Sequence, residues 1–145
     1  MVAIVIIAHQ PLASALVAAA QHVYSRDPNA ASRHLTGLDV APDSHLPVVI
    51  AAANELVSQV DRGQGVLVLT DIVGATPANV AARLARPGQV AVIAGVNLPM
   101  LLRSLCYGEL SLDALLAKAL AGGAQGVQQL SAPTNAGTAP QANEP

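Results

Sequence analysis

Aromatic residues are almost absent from this sequence, which has no tryptophan, no phenylalanine and two tyrosines among 145 residues. Proteins that bind single-stranded nucleic acid stack the bases on aromatic side chains, and this chain cannot build such a platform. Charge is scarce as well, since charged residues make up 11% of the chain and the net charge is −2. No basic surface is available to neutralise phosphates, so the composition argues against a nucleic acid partner.

Cysteine and long apolar runs are equally scarce. The single cysteine, Cys106, excludes an intrachain disulfide and a multi-cysteine metal site. The unbroken apolar runs have the length of strands and fall short of the ~20 residues that span a bilayer. No basic segment precedes the first apolar run, as a signal peptide would require. We therefore expect a soluble, cytoplasmic protein.

Aliphatic residues are what the chain has in abundance. Hydrophobic residues make up 52% of it, and the mean hydropathy is +0.47. Val, Leu, Ile and Ala must therefore fill the core. Because so few charges are available to cover the surface, a second copy of the chain is expected to bury part of the apolar area that remains.

Apolar runs of strand length alternate with Ala- and Leu-rich stretches of helix length. Strands are predicted at 2–8, 33–40, 65–71 and 88–95, of which the second is the most polar and suits an edge. Helices are predicted at 11–23, 47–60, 77–84 and 110–123. A further helix is predicted to open at VNLP (96–99), with Asn97 as its cap, and to reach Cys106. The alternation predicts an open, doubly wound, mostly parallel α/β sheet with helices on both faces.

The predicted domain covers residues 1–130. Residues 25–32 are predicted to form a turn, and residues 126–130 to form a last short strand. From Ser131 onward the composition changes to Ala, Pro, Thr, Asn and Gln, so residues 131–145 are predicted to be a disordered tail.

Polar residues stand where the strongest strands end. His9 follows the predicted strand 2–8 and Asp71 ends the predicted strand 65–71. Gly74-Ala75-Thr76 then leads into a helix, with Thr76 as the expected N-cap before Pro77. Ligands of open α/β sheets bind at the carboxyl ends of the strands, where the strand order reverses. His9 and Asp71 are therefore expected side by side if their strands flank that point.

A histidine beside an aspartate has a chemical logic. A carboxylate that accepts a hydrogen bond from one imidazole nitrogen fixes the tautomer, and the lone pair of the other nitrogen is then free to act as nucleophile or base. A loop of small residues before a helix favours an anion. Together these features predict a phosphoryl acceptor, although each alone also suits a packed histidine, a turn aspartate or an ordinary helix start.

The other candidates are interpreted as structural. His22 lies in an Ala-rich helix, His34 begins the weak strand, His45 lies in a loop, and Cys106 is expected to be a small buried hydrophobe. The glycine-rich nucleotide-binding patterns and the serine-hydrolase pattern G-x-S-x-G are missing from the sequence, which argues against both classes.

Three blocks of the sequence resemble the mannose-type IIA domain of the bacterial phosphoenolpyruvate-dependent sugar phosphotransferase system. They are IVIIAHQPLASAL with His9, GVLVLTDIVGATPAN with Asp71 and Thr76, and VIAGVNLPMLL, and the resemblance extends over residues 2–130. The related dihydroxyacetone kinase phosphotransfer subunit shares the first block and an acidic second block. Because that subunit is not expected to carry the third block, it is a weaker match to this sequence than the mannose-type IIA domain.

The resemblance implies a phosphotransferase that works as a phosphoryl carrier. His9 would accept the phosphoryl group on Nε2 from the phosphocarrier HPr and pass it to a IIB protein or domain. Asp71 would bond the other ring nitrogen, and Gly74, Ala75 and Thr76 would hold the phosphoryl group. The family also implies a homodimer that exchanges a final antiparallel edge strand, no cofactor or metal, and an indirect link to the membrane through a IIC/IID permease.

Two departures from the family leave alternatives open. The usual loop has two glycines and a serine where this chain has Gly74-Ala75-Thr76, and threonine keeps the hydroxyl. A fused IIB domain is not present in this sequence, so both sugar uptake and a regulatory phosphorelay fit. A regulatory module that binds partners according to its phosphorylation state, without onward transfer, also stays open, as does a small-anion-binding domain without covalent chemistry.

Overall fold

The computed structural model describes residues 1–27 and 34–134 of the chain. Strands and helices alternate along this part from the first element almost to the last. They are β1 (Ala3–His9), α1 (Leu12–Val23), β2 (Leu35–Val40), α2 (Leu46–Val60), β3 (Val66–Thr70), α3 (Thr76–Ala82), β4 (Val90–Ala94), α4 (Leu98–Cys106) and α5 (Leu112–Gln125).

The four strands form one parallel sheet in the order β2-β1-β3-β4. The chain first places β2 on one side of β1 and then β3 on the other, so the strand order reverses between β1 and β3. The ladder between these two strands ends with Ile7 opposite Thr70. The chain positions just beyond that pair, which include His9 and Asp71, therefore emerge at the same edge of the sheet.

Helices cover both faces of the sheet, which explains why β1 and β3 are apolar at nearly every position. On one face α1, α4 and α5 pack over Ile4, Ile6 and Leu69. On the other face α2 and α3 pack over Val5 and Val68. Burying one Ile or Val side chain in this way contributes about 1.5–3 kcal/mol, so the two central strands are a rigid support for the residues at their ends.

These observations confirm the predicted fold class, an open, doubly wound α/β sheet, and the observed strands are all parallel. The helix starting with Pro11 in the prediction begins one residue later, and the helix predicted to reach Leu84 ends at Ala82. The predicted turn 25–32 lies outside the described residues from position 28 onward, and the predicted tail lies outside them from position 135 onward.

The predicted last strand is not formed. Gly126 caps the C-terminus of α5, and residues 127–130 take no part in the sheet, with 77% of Val127 and 84% of Leu130 exposed. Within one chain β4 remains an edge strand. A strand needs a partner edge to form its hydrogen bonds, and this segment does not reach one among the residues that the structure describes.

Candidate functional site

The edge where β1 and β3 end brings His9 and Asp71 into direct contact. Oδ2 of Asp71 lies 2.6 Å from Nδ1 of His9 and also accepts a hydrogen bond from the backbone N–H of His9 at 3.0 Å. Oδ1 of Asp71 accepts from the backbone N–H of Ile72 at 2.8 Å. The aspartate thus bonds both the ring and the main chain of the histidine, which fixes the ring relative to the end of β1.

The charge of Asp71 follows from these contacts. Partial burial alone would raise the pKa of its carboxyl group, but the hydrogen bonds from the backbone and ring of His9 and from the backbone of Ile72 outweigh burial. The net result is a pKa below the ordinary value of 3.8. Asp71 is therefore a carboxylate at neutral pH.

The carboxylate decides which nitrogen of His9 carries the proton. A carboxylate can only accept hydrogen bonds, so the Nδ1 atom facing it is the N–H donor of the neutral ring. The lone pair of the neutral imidazole then lies on Nε2. Since 51% of the His9 side chain is exposed, against 12% for Asp71, the nucleophilic side of the ring faces solvent while its partner is covered.

The turn between β1 and α1 is held by β2. Asp39, near the end of β2, accepts hydrogen bonds from the backbone N–H of Ser14 at 3.1 Å and from its hydroxyl at 2.6 Å. The backbone N–H of Gln10 donates to the carbonyl of Val40 at 3.0 Å. Asp39 therefore satisfies one of the free N–H groups in the first turn of α1, as an N-cap side chain would.

The end of β3 is held by the turn after β4. The backbone N–H of Gly95 donates to the carbonyl of Asp71 at 2.6 Å, and that of Val96 donates to the carbonyl of Thr70 at 3.0 Å. Gly95 has a φ of 85°, a conformation that side chains with a Cβ rarely adopt. This turn fixes the main chain of Asp71 from the side opposite His9.

The sequence analysis did not identify these supporting residues. Asp39 ends a strand on the same edge as His9 and Asp71, so the strand-end rule that found the pair also applies to it. Its partner Ser14 lies in the first turn of α1. Gly95 follows a strand directly, and a glycine in that place is the signal that could have found it.

The predicted phosphoryl-binding loop follows Asp71 at the same edge. Gly74 has a φ of 90°, and Gly74 and Thr76 are exposed. The predicted cap is wrong by one residue: Ala75 occupies the N-cap position of α3, and Thr76 is its first helical residue, with Pro77 buried behind it. Thr76 is thus an exposed residue in the first turn of α3 whose hydroxyl does not serve as the N-cap.

The other predicted positions lie apart from this pair in the structure. His22 lies in the last turn of α1 and His45 at the N-cap position of α2, while His34 lies just before β2. Cys106, expected to be buried, is exposed because it is the last residue of α4, where the helix leaves the core. Asn97 caps α4 as predicted, accepting from the backbone N–H of Met100 at 2.9 Å.

The described part of the chain, residues 1–27 and 34–134, holds neither a candidate membrane span nor a candidate metal site. No helix there is both long enough and apolar enough to cross a bilayer. The same residues bring no three His, Cys, Asp or Glu side chains together in an arrangement that could hold a metal ion.

Comparison with known proteins identifies relatives of this chain within one family. A family model described as "PTS system fructose IIA component" matches residues 3–120. The mannose-specific EIIAB component of the phosphotransferase system of Escherichia coli K12 is 35% identical over 115 residues, which cover 72% of this chain and 36% of that protein. The chain thus spans about a third of the length of the curated relatives it matches.

Solved structures share the fold. The mannose/sorbose-specific IIA subunit from Enterococcus faecalis superimposes with a TM-score of 0.79 at 23% identity, covering 92% of this chain and 97% of that one. The phosphotransferase system component EIIA from Streptococcus agalactiae gives 0.73 at 23% identity, covering 89% and 97%. The chain belongs to the mannose-type family of IIA components of the phosphotransferase system.

Proposed function

We propose that this protein is a phosphoryl carrier of the phosphotransferase system, which accepts a phosphoryl group from phospho-HPr on His9 and passes it to a IIB partner. The observation that carries the proposal is the 2.6 Å contact between Asp71 Oδ2 and His9 Nδ1. It leaves the lone pair on Nε2 of an exposed imidazole, which is what a nucleophile toward phosphorus requires. Membership of the IIA family supports the same assignment.

Phosphoryl transfer from phospho-HPr to His9, and from His9 to the IIB partner, needs no reagent besides these proteins. The Nε2 lone pair of His9 attacks the phosphorus of phospho-HPr, a new N–P bond forms, and the bond between phosphorus and HPr breaks with its electron pair leaving on HPr. His9 then carries a positive ring whose Nδ1 proton stays on the hydrogen bond to Asp71, and the carboxylate stabilises that charge. The reverse displacement, with the IIB nucleophile as attacker, discharges the ring.

Gly74, Ala75 and Thr76 are the groups that we propose to hold the phosphoryl oxygens. They follow Asp71 directly in the chain, and the exposed backbone at Gly74 lets an anion approach closely because no Cβ stands in the way. The hydroxyl of Thr76 adds a neutral donor. Positioned donors of this kind stabilise the charge that is spread over phosphoryl oxygens in the transition state.

Exposed apolar side chains lie near His9 and Asp71, and they could form a docking surface for protein partners. Ile72 and Val73, which follow Asp71, are 61% and 80% exposed, and Leu12, close to His9 in the chain, is 37% exposed. Apolar patches beside a reactive group are typical of docking surfaces. We assign this surface to HPr and to the IIB partner in turn, in the cytoplasm. In sugar uptake, a IIC/IID permease then links the protein indirectly to the membrane.

A homodimer is part of the proposal. Residues 127–130 are exposed and lie beside no strand in the part of the chain that the structure describes. The outer edge of β4 bonds Arg86 at Val90 and lies beside no strand of the sheet after that residue. Pairing the segment of one copy with the β4 edge of another would form the antiparallel strand that a single chain does not. We take residues 1–130 as the domain that makes this assembly.

The test is transfer of labelled phosphate from phosphoenolpyruvate through enzyme I and HPr. We expect one phosphoryl group per chain, stable in base and lost in acid as a phosphohistidine is, and no label on His9→Ala. His45→Ala, which removes an exposed histidine from the start of α2, is the control and should label fully. Full labelling of His9→Ala would refute the assignment of His9.

A further inference from the structure

We propose that Asn97 is a positioning residue for His9: it ties the start of α4 to the end of α5 and so fixes the turn that holds Asp71. The proposal concerns the third sequence block, VIAGVNLPMLL, which the phosphoryl chemistry does not use. Its kinetic consequence rests on the proposed phosphoryl transfer, while its effect on the ring of His9 does not.

The oxygen and the nitrogen of the Asn97 side-chain amide both form hydrogen bonds. Oδ1 accepts from the backbone N–H of Met100 at 2.9 Å and caps α4, and Nδ2 donates to the carbonyl of Gly123 in the last turn of α5 at 3.0 Å. The last carbonyls of a helix lack partners within it, so Asn97 serves two helix ends at once. Neither aspartate nor serine, which also cap helices well, can supply the second contact.

Glycines at the end of α5 face side chains from the start of α4 at short distance. A Cβ at Gly123 would lie 2.6 Å from Cε of Met100, and one at Gly126 would lie 2.4 Å from side-chain carbons of Pro99. Both distances are below van der Waals contact, and although the methyl group of Met100 can move aside, the ring of Pro99 cannot, so the contact at Gly126 requires glycine. The separation between α4 and α5 at the Asn97 contact is therefore set within narrow limits.

The turn that holds Asp71 directly precedes Asn97. Gly95 and Val96 donate their N–H groups to the carbonyls of Asp71 and Thr70, and Asn97 continues the chain into α4, where its own carbonyl accepts from Leu101. The position of Asn97 therefore determines where the two N–H groups point. They set the main chain from which the carboxylate of Asp71 extends to His9.

A small displacement at this turn matters because the contact between Asp71 and His9 is short. Moving the carboxylate away from Nδ1 weakens the preference for the proton on that nitrogen, and the tautomer with the proton on Nε2 then competes. The Nε2–H tautomer has no lone pair on Nε2 and cannot attack phosphorus there. Loss of the link to α5 should therefore lower the rate of transfer and leave docking of HPr unchanged.

Asn97→Ser tests the proposal, because a serine hydroxyl can still cap α4 but has no amide to reach Gly123. We expect the ¹⁵N spectrum of the His9 ring, measured in the unphosphorylated protein, to show a reduced fraction of the Nδ1–H tautomer. We also expect kcat for transfer from phospho-HPr to fall about tenfold with KM unchanged, since small misplacements of reacting groups have effects of this size or larger. The ring spectrum remains informative even if no transfer is detected.

Ser111→Ala is the matched control. It removes the side-chain cap of α5, which accepts from the N–H of Ala114, at the other end of that helix. Like Asn97→Ser, it removes a side-chain hydrogen bond at one end of α5, so it should lower the free energy of unfolding. The His9 spectrum and kcat should stay as in the unaltered protein. The proposal is overturned if Asn97→Ser leaves the His9 spectrum unchanged, or if Ser111→Ala changes it equally.

Discussion

At the scale of single residues, the site depends on one carboxylate that accepts three N–H groups. Two of them come from His9 and one from Ile72. This arrangement keeps Asp71 ionised, orients the imidazole and leaves its exposed side free. In the proposed function, Asp71 would act on phosphoryl transfer through His9, by setting the tautomer and by stabilising the charged ring.

Asp71→Asn should slow transfer strongly. An asparagine amide can donate to Nδ1, which favours the proton on Nε2 and removes the nucleophilic lone pair. The equivalent change beside a catalytic histidine in serine proteases costs about 10⁴ in kcat, and we expect a loss of at least about a hundredfold here by the same reasoning. Rapid-quench measurement of transfer from phospho-HPr checks this.

The control for that experiment is Asp43→Asn, which alters an exposed carboxylate in the loop between β2 and α2. It should transfer at the unaltered rate. Equal kcat values for the unaltered protein and Asp71→Asn would remove Asp71 from the mechanism.

The lowered pKa of Asp71 also predicts a pH dependence of stability. A carboxyl group whose pKa is lower in the folded state adds stability above its ordinary value, here 3.8, and loses that contribution as the pH falls through the folded-state pKa. Urea unfolding of the unaltered protein and of Asp71→Asn should therefore differ most above about pH 5 and converge below pH 4. A difference that stays constant down to pH 2 would contradict the assigned shift.

Sequence reasoning found His9 and Asp71 because both end strongly apolar strands, and the carboxyl ends of parallel strands meet at one edge. It did not find Asp39 or Gly95. Each acts on a neighbouring turn through a contact between elements distant in sequence, and such contacts depend on the order and register of the strands. The cap of α3 was misplaced because Thr-Pro suits both the N-cap and the first helical turn.

At the scale of the elements, two turns hold the reacting pair from opposite sides. Asp39 on β2 secures the turn that follows His9, and the turn after β4 secures the end of β3. The buried central strands β1 and β3 are the rigid support, and the two turns fix the orientation of His9 and Asp71 at their ends. The alternation of strands and helices was predictable from the aliphatic runs, whereas the ends of helices shifted by one or two residues because capping depends on local contacts.

Asp39→Ala tests the turn that follows His9. Removing the carboxylate leaves the N–H of Ser14 without its acceptor and leaves its hydroxyl only the carbonyl of Pro11, at 3.2 Å. The free energy of unfolding should therefore fall by about 1–2 kcal/mol. Asp43→Ala, four residues away and exposed, is the control and should change little. Urea unfolding followed by circular dichroism measures both, and indistinguishable midpoints would contradict the role given to Asp39.

At the scale of the whole molecule, the segment that follows α5 lacks a partner strand among the residues that the structure describes. The sequence predicts a strand at 126–130, which residues 1–27 and 34–134 do not form, because a strand needs a partner edge for its hydrogen bonds. Local sequence can show that a segment favours a strand, but it does not show where the partner lies. The proposed exchange between two copies would supply that partner.

Replacing both Val127 and Leu130 by Asp should convert the proposed dimer into a monomer. The two side chains are almost fully exposed in one chain, so the change costs the single chain little, while two buried charges would disrupt a shared strand. Val73→Asp, which alters an equally exposed residue beside the site, should stay dimeric. Light scattering after gel filtration gives the masses, and an unchanged mass for the double variant would refute the exchange.

The most direct test of the central claim is a phosphorus–nitrogen correlation spectrum of the protein phosphorylated through phosphoenolpyruvate, enzyme I and HPr. The geometry of His9 and Asp71 predicts a single phosphoryl group, bonded to Nε2 of His9, with a proton on Nδ1. Phosphorus bonded to Nδ1 of His9, or to another residue, would contradict the account.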